Sequence, residues 1–282
     1  MLVSQGRGNA YRTRSRLERA AAGLRSVLPQ PLTDALRAGY RKLLATGAAD
    51  RYVCTLPAGD RVRVLPQHGE LTWNPEEYAA FRQAVAPGST VLDVGANLGA
   101  YTLLFAMWVG RSGRVFAFEP APESFAGLLA HVSLNGLADR VTAHQLAVSD
   151  TEGAIAFQAS GRDGANRIAA AGRQSKDILQ IGSTTVDAFC RQMAVSPGLI
   201  KIDVEGAELQ VLQGARETIG SAGEGLHLYV ELHPQLWNEF GASRAALEAE
   251  FQLQGLRPER LDGHSNVWDM EGVCLRLRRC GF

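Results

Sequence analysis

The sequence predicts an α/β fold with a mostly parallel sheet, and three observations support this prediction. From residue 89 onward, continuous apolar segments alternate with amphipathic ones, as strands buried on both faces alternate with the helices that cover them. A glycine-rich turn joins the first apolar segment, Thr90–Val94, to a helical pattern. Acidic residues follow several of the predicted strands, at the edge where open α/β sheets bind ligands.

The composition is that of an ordinary folded protein and excludes several classes. Of the 282 residues, 46% are hydrophobic and 21% charged, which suffices for a sizeable core. No apolar run approaches the roughly 18 residues that span a bilayer, and the arginine-rich start lacks the apolar core of a secretory signal. A net charge of zero gives no general case for a nucleic acid partner. The four cysteines form no CxxC pair, which favours reduced thiols in a cytoplasmic protein over a zinc site or disulfides.

Residues 1–50 predict a basic helical extension. They hold nine Lys or Arg and three acidic residues, a net charge of +6, whereas the rest of the chain carries −6. Apolar residues recur at helical spacing from about residue 16 to 46, with a break at Pro29 and Pro31. We expect this extension to pack on the main domain; peripheral contact with a membrane or an anionic glycolipid is the alternative.

Residues 51–88 predict a β-hairpin and a helix that leads into the main domain, residues 89–282. Alternating residues flank a turn at 58–60, and Asn74 followed by Pro75 and two glutamates is typical of a helix start. Within the main domain, the polar segment 161–182 is interpreted as a long loop and residues 207–219 as one helix.

The turn after the first strand predicts a nucleotide-type site. Gly95 and Gly99 allow close backbone approach, and the following helix offers free N–H groups. A dinucleotide fingerprint would need glycine where Asn97 stands, and its side chain would obstruct a pyrophosphate. Asp93 suits a cationic amino group, such as that of S-adenosylmethionine. Glu119, at the end of the next strand, is placed to accept both hydroxyls of a ribose, which either cofactor carries.

Two further strand ends predict a reactive site. Asp203 and Glu205 follow the apolar strand that begins at residue 199, and they share one side if the strand continues that far. Two carboxylates there favour proton abstraction or metal binding. Glu231 and His233 end the next strand at the same edge. We interpret Glu208 as an acid favoured by the dipole of a helix start.

Five segments together resemble the FkbM-type methyltransferases: DVGANLGAYT (93–102), FAFEP (116–120), HVSLNGLADRVTAHQLAVSDTEG (131–153), TTVDAF (184–189) and KIDVEGAELQVLQGA (201–215). The resemblance covers about residues 90 to 235. It implies the class I methyltransferase fold, a Rossmann-like three-layer sandwich with a mostly parallel seven-stranded sheet. It also implies S-adenosylmethionine as cofactor and O-methylation of a hydroxyl on a sugar, glycolipid, polysaccharide or natural product.

The resemblance also implies roles for individual residues. The cofactor would be held by Asp93, Gly95, Ala96, Asn97 and Gly99 at its methionine end, by Glu119 and Pro120 at the ribose, and by Ala147 and Val148 at the adenine. Asp203, Glu205 and His233 would form the catalytic site. Because a sugar hydroxyl is a poor acid, we expect Asp203 or His233 to act as general base, with Glu205 and Glu231 orienting it or the acceptor. A divalent cation held by Asp203, Glu205 and His233 is an alternative.

Other functions remain open but fit the residues less well. The same motifs could serve a non-catalytic cofactor-binding module or a protein methyltransferase. Amino-directed nucleic-acid methyltransferases need a polar-Pro-Pro-aromatic turn that residues 203–206 lack. A dinucleotide-dependent oxidoreductase would need the missing glycine and a hydride-transfer site. The sequence leaves the oligomeric state undetermined.

Overall fold

The computed structural model describes residues 11–12, 52–158, 167–168, 178–268 and 272–279. The strands are β1 (Tyr11–Arg12), β2 (Tyr52–Thr55), β3 (Arg61–Val64), β4 (Thr72–Trp73), β5 (Thr90–Val94), β6 (Arg114–Phe118), β7 (Val141–His144), β8 (Ala147–Val148), β9 (Gly153–Gln158), β10 (Arg167–Ile168), β11 (Ile178–Thr184), β12 (Leu199–Ile202), β13 (His227–Leu232), β14 (Leu256–Arg260) and β15 (Val273–Arg279). The helices are α1 (Pro75–Ala84), α2 (Ala100–Trp108), α3 (Pro122–Leu134), α4 (Val186–Met193), α5 (Glu208–Gln213), α6 (Arg216–Ser221) and α7 (Arg244–Leu253).

The central sheet has seven strands in the order β14-β15-β13-β12-β5-β6-β7. Neighbours from β13 to β7 run parallel, and β15 pairs antiparallel with both β13 and β14. The chain order reverses between β5 and β12, which makes their carboxyl ends the switch point where such sheets bind ligands. The predicted α/β fold with a mostly parallel seven-stranded sheet is confirmed.

The two faces of this sheet are covered by different helices. Successive residues of β5 belong to two different buried clusters, one on each face of the sheet. Leu92 packs with α4, α5, α6 and α7, whereas Val91 packs with α1, α2 and α3. The same alternation divides Ile200 and Leu199 of β12. The result is the three-layer sandwich that the sequence predicts.

The predicted hairpin and lead-in helix are both present. Strands β2 and β3 pair antiparallel. The Asn74 side-chain oxygen accepts hydrogen bonds from the backbone N–H groups of Glu76 and Glu77 at 2.9 and 3.2 Å, which caps α1. The hairpin is anchored to α3, where the Asn135 side chain accepts a hydrogen bond from the Arg63 N–H and donates one to its carbonyl.

Two details of the sequence interpretation are wrong. Part of the segment 161–182 is strand rather than loop, since β11 pairs antiparallel with β9 and parallel with β8. The single helix predicted over residues 207–219 is divided into α5 and α6. The Gly214 carbonyl accepts a hydrogen bond from the Asp187 N–H, and the Asp187 carboxylate then caps α6 by accepting from Glu217 and Thr218.

The basic extension predicted for residues 1–50 lies outside the described residues, apart from Tyr11 and Arg12, which pair with β4. Among the helices of the described ranges, none has the length and apolar character needed to cross a membrane.

Candidate active site

The turn between β5 and α2 brings backbone N–H groups to the switch point. Gly95, Asn97 and Gly99 all have positive φ, at +80°, +49° and +89°. The N–H groups of Gly95 and Ala96 donate to the Phe118 carbonyl, which joins this turn to the end of β6. A Cβ atom on Gly95 would lie 1.7 Å from the Asp203 carbonyl oxygen, so only glycine fits here.

Glu119 fastens the two turns that border the switch point. One carboxylate oxygen accepts from the Asn97 N–H at 2.8 Å and the other from the Ala121 N–H at 2.9 Å. The side chain is buried, and burial raises its pKa to about 7 against the opposing effect of these two donors. Each oxygen keeps a free lone pair, so the carboxylate can accept further hydrogen bonds from a ligand.

An open pocket of about 650 Å³, solvent at its mouth included, lies against these turns. The pocket is lined by Val94, Gly95, Asn97, Phe118, Glu119, Pro120, Ser124, Leu146, Ala147, Val148, Phe157, Asp203, Val204 and Glu205. Eight of the twelve residues that the sequence singles out are therefore brought together; Asp93, Ala96, Gly99 and His233 lie outside the lining.

Asp93 is buried behind the pocket. Its carboxylate accepts a hydrogen bond from the Thr102 hydroxyl at 2.5 Å and lies 3.9 Å from the Lys201 ammonium. Burial raises its pKa, and Lys201 and Thr102 oppose that effect. The Oδ1 atom has no hydrogen-bond partner among the described residues.

Lys201 is the positive centre of the buried charges, and it is not among the site residues predicted from the sequence. Its side chain is only 4% exposed, its Nζ lies 3.1 Å from Asp203, and it stands 5.5 Å from the centre of the Tyr101 ring. Burial disfavours its charge, but Asp203 and Asp93 outweigh burial and raise its pKa. A lysine inside an otherwise apolar strand signals a paired charge, and this signal was available in the sequence.

Asp203 and Glu205 reach one side of the pocket by a turn and not by strand alternation. Strand β12 ends at Ile202, and Glu205 has a positive φ of +51°. The strand therefore does not continue to these residues, and the condition under which alternation would place them on one side is not met. Burial would raise the pKa of Asp203, but Lys201 and His233 hold it below its usual value.

His233 joins this cluster from the end of β13. Its Nε2 atom lies 3.8 Å from Asp203, 4.0 Å from Glu205 and 3.7 Å from Glu231. Its Nδ1 atom lies 2.8 Å from Glu208. Burial lowers its pKa, but the bond to Glu208 and the facing carboxylates outweigh burial and raise the pKa to about 10.

Glu231 completes the cluster. Burial raises its pKa well above the usual value, and the charges of Asp203 and Glu77 act in the same direction. Ligand atoms of Asp203, Glu231 and His233 lie within 4.8 Å of one another, a spacing that would admit a cation. Lys201 already supplies a positive charge beside Asp203.

Comparison with known proteins assigns the family. A family model described as the methyltransferase FkbM domain matches residues 93–282. The chain belongs to the FkbM methyltransferase family. The class I methyltransferase fold predicted from the sequence is confirmed by this match together with the seven-stranded sheet. Membership implies S-adenosylmethionine as the cofactor of an FkbM domain.

Three curated relatives of this FkbM-family chain are between 28% and 34% identical to it over the aligned segments. The 2-O-methyltransferase NoeI of Sinorhizobium fredii is 29% identical over 47% of this chain and 60% of its own length. The 31-O-demethyl-FK506 methyltransferase FkbM of Streptomyces tacrolimicus is 34% identical over 46% and 61%. The hexuronic acid methyltransferase AglP of Haloferax volcanii is 28% identical over 67% and 78%. The chain thus spans about three fifths of the first two relatives.

The pocket fits an adenosyl cofactor in its chemistry. Gly95 leaves room for close approach, and Glu119 keeps acceptor capacity inside the pocket. Apolar side chains from Phe118, Val148 and Phe157 line the same space, as a flat aromatic base requires.

Proposed function

We propose that this protein is an S-adenosylmethionine-dependent methyltransferase that methylates a hydroxyl group of a sugar, glycan, glycolipid or natural product. One observation carries the proposal: Asp203 and Glu205 line the same pocket as Gly95 and Glu119, and both carboxylates face His233. The turns that would bind the cofactor and the side chains that could accept a proton therefore line the same pocket. The relatives, a 2-O-methyltransferase, a 31-O-demethyl-FK506 methyltransferase and a hexuronic acid methyltransferase, support oxygen as the acceptor atom.

In this proposal the β5–β6 side of the pocket holds the cofactor. Glu119 and Pro120 serve the ribose, and Ala147 and Val148 serve the adenine. The turn at Gly95, Ala96, Asn97 and Gly99 receives the methionine end. Asp93 does not line the pocket, because its carboxylate is buried against Thr102 and Lys201. It acts on the cofactor's amino group through its charge and not through direct contact.

The β12–β13 side handles the acceptor. The bound cofactor supplies an already activated methyl group, so the protein must orient the hydroxyl and accept its proton. Asp203 lines the pocket and is ionised at neutral pH, because its pKa lies below the usual value. His233 carries its proton at neutral pH, since its pKa is about 10. We therefore assign the acceptor hydroxyl's hydrogen bond to Asp203, with His233 orienting it, and Glu205 and Glu231 around them.

The cofactor assignment is tested by calorimetric titration of S-adenosylmethionine and S-adenosylhomocysteine into the full chain. We expect micromolar binding that Glu119→Ala weakens about tenfold or more, which corresponds to about 1.4 kcal/mol. Ser124→Ala, another change in the pocket lining, is the matched control and should bind nearly as tightly as the wild type. A folded wild-type protein that binds neither compound at millimolar concentration would contradict the proposal.

The catalytic assignment is tested by release of S-adenosylhomocysteine with hexuronic acids, amino sugars and macrolides as acceptors. Asp203→Asn and His233→Ala should each lower turnover by about 100-fold or more, since general base catalysis contributes roughly 100- to 10,000-fold. Near-normal turnover in both variants would exclude these residues. Tight cofactor binding without turnover on any acceptor would favour the non-catalytic module, and turnover on a protein acceptor alone would favour a protein methyltransferase.

Two finer points remain predictions. From the sequence, a divalent cation is an alternative at Asp203, Glu205 and His233, whereas the structure spaces Asp203, Glu231 and His233 for one. Such a cation would make turnover sensitive to chelation, and full activity in EDTA would exclude it. Docking of the basic residues 1–50 on an anionic membrane predicts that their deletion abolishes binding to anionic liposomes and leaves binding of S-adenosylmethionine unchanged.

A further inference from the structure

The environment of the Glu208 carboxylate differs from the one that its position at the start of a helix predicts. A glutamate in the first turn of a helix is normally exposed and interacts with the helix dipole. Here the residue is completely buried. One oxygen lies 2.8 Å from His233 Nδ1 and accepts from the Gly206 N–H at 2.9 Å, and the other accepts from the Trp237 indole N–H at 2.9 Å.

We infer that Glu208 is the positioning residue of the catalytic site: it holds His233 by Nδ1, so that Nε2 is the nitrogen presented to Asp203 and Glu205. The inference rests on the proposed function, in which His233 orients the proton acceptor. The inference assigns a role in catalysis to a residue that neither lines the pocket nor contacts the reacting groups.

The chemistry of the two ring nitrogens explains why this contact matters. The two carboxylate oxygens of Glu208 act as acceptors, since they receive hydrogen bonds from the Gly206 N–H and the Trp237 indole N–H, and in this contact the ring nitrogen is the donor. His233 must therefore keep a proton on Nδ1, and any proton exchanged with the pocket passes through Nε2. A ring turned over by 180° would put carbon atoms in the places of Nδ1 and Nε2, and the buried Glu208 would lose this donor.

The arrangement around Glu208 also makes the ring orientation rigid. The carboxylate is itself fixed by two donors from different parts of the chain, the turn at Gly206 and the 3₁₀ turn Trp237–Phe240. A Cβ atom on Gly206 would lie 2.7 Å from Leu236 and from Phe240, so these two segments pack tightly against each other. The ring is thus held by a carboxylate that cannot move independently.

The experiment compares Glu208→Gln, Glu208→Asp and Trp237→Phe with the wild type. Glu208→Gln keeps the size of the side chain and removes the charge that His233 Nδ1 requires. Glu208→Asp keeps the charge on a shorter chain, and Trp237→Phe removes one hydrogen bond to Glu208 without touching His233. A purely structural role predicts that all three variants change together with their stability, which thermal unfolding measures.

We expect Glu208→Gln to lower kcat by about 100-fold or more with little change in KM or in the affinity for S-adenosylmethionine, as when a histidine loses its orienting carboxylate. Glu208→Asp should recover part of the activity. Trp237→Phe should lower kcat clearly less than Glu208→Gln, because the carboxylate and its bond from the Gly206 N–H remain. If Trp237→Phe lowers kcat as much as Glu208→Gln at equal loss of stability, the inference is wrong.

A readout independent of turnover comes from nuclear magnetic resonance of protein carrying ¹⁵N-labelled histidine, with His233 assigned from the His233→Gln spectrum. The wild type should show a low-field Nδ1–H proton for His233, and Glu208→Gln should shift or abolish it. An unchanged ring signal overturns the inference, whatever the activity. If the signal shifts as expected but wild type methylates none of the acceptors, the proposed function fails and the contact to Glu208 stands.

Discussion

On the β5–β6 side of the pocket, the main chain shapes the site: Gly95 and Asn97 adopt positive φ, and Glu119 accepts backbone N–H groups on both of its oxygens. On the β12–β13 side, side chains shape it: Lys201 pairs with Asp203, and His233 is held by Glu208. The first side therefore depends on conformation and space. The second depends on buried charges that neutralise one another. Substitutions on the two sides should therefore have different effects on stability and on cofactor affinity.

The largest effect is expected at Lys201. Lys201→Met leaves Asp93 and Asp203 without their cation, and removing one partner of a buried pair costs about 3–5 kcal/mol. Urea denaturation should show this loss in the free energy of unfolding. Arg191→Met, which removes an exposed ion pair with Glu217, is the control and should leave the urea midpoint unchanged. Equal midpoints for both variants would mean that the pairing of Lys201 with Asp93 and Asp203 does not stabilise the folded protein.

A smaller but more specific effect is expected at Gly95. Gly95→Ala places a Cβ atom 1.7 Å from the Asp203 carbonyl oxygen and strains a φ of +80°. The control is Gly136→Ala, which has a φ of +67° but no atom within 4 Å of the added Cβ. Strain alone costs roughly 1–2 kcal/mol, so Gly136→Ala should lose only that much stability.

Gly95→Ala should lose more stability than Gly136→Ala and should bind S-adenosylmethionine at least about tenfold more weakly, about 1.4 kcal/mol. Thermal unfolding and calorimetry separate the two quantities. If the two variants lose equal stability and bind the cofactor equally, close approach at Gly95 has no role in the site.

The smallest effect is a pH dependence of cofactor affinity. The pKa of Glu119 is about 7, so the carboxyl is largely ionised at pH 8 and largely protonated at pH 6. Only the ionised group offers both oxygens to the ribose hydroxyls. The dissociation constant should therefore increase about tenfold from pH 8 to pH 6, in proportion to the loss of the competent form.

Two variants assign this pH dependence by calorimetry at pH 6, 7 and 8. Glu119→Gln should bind more weakly and lose most of the dependence. Glu77→Gln removes the other buried glutamate whose pKa is about 7 and should retain it. If the pH dependence persists in Glu119→Gln and disappears in Glu77→Gln, it arises from Glu77, which interacts with Lys201, and not from Glu119.

The same contrast explains what the sequence could predict. The β5–β6 side follows from local spacing, because the strand, the glycine turn and the acid after the next strand are short-range patterns, and Gly95, Asn97 and Glu119 all line the pocket. The β12–β13 side joins residues that only the fold brings together. Glu208 lies 25 positions from His233 and 29 from Trp237, and no periodicity relates them. Alternation would place Asp203 and Glu205 on one side only if the strand continued that far. It ends at Ile202, and a turn in which Glu205 has a positive φ brings both residues to the same pocket.

The contact between Asn135 and Arg63 has a consequence for the behaviour of the chain in a crowded solution. An edge strand exposes N–H and C=O groups that can recruit another chain and start aggregation. The Asn135 amide binds both the N–H and the C=O of Arg63, as a neighbouring strand would. The Asn135 side chain, at the C-terminal cap of α3, thus occupies the place that an intruding strand would take at this point of the hairpin, without lengthening the sheet.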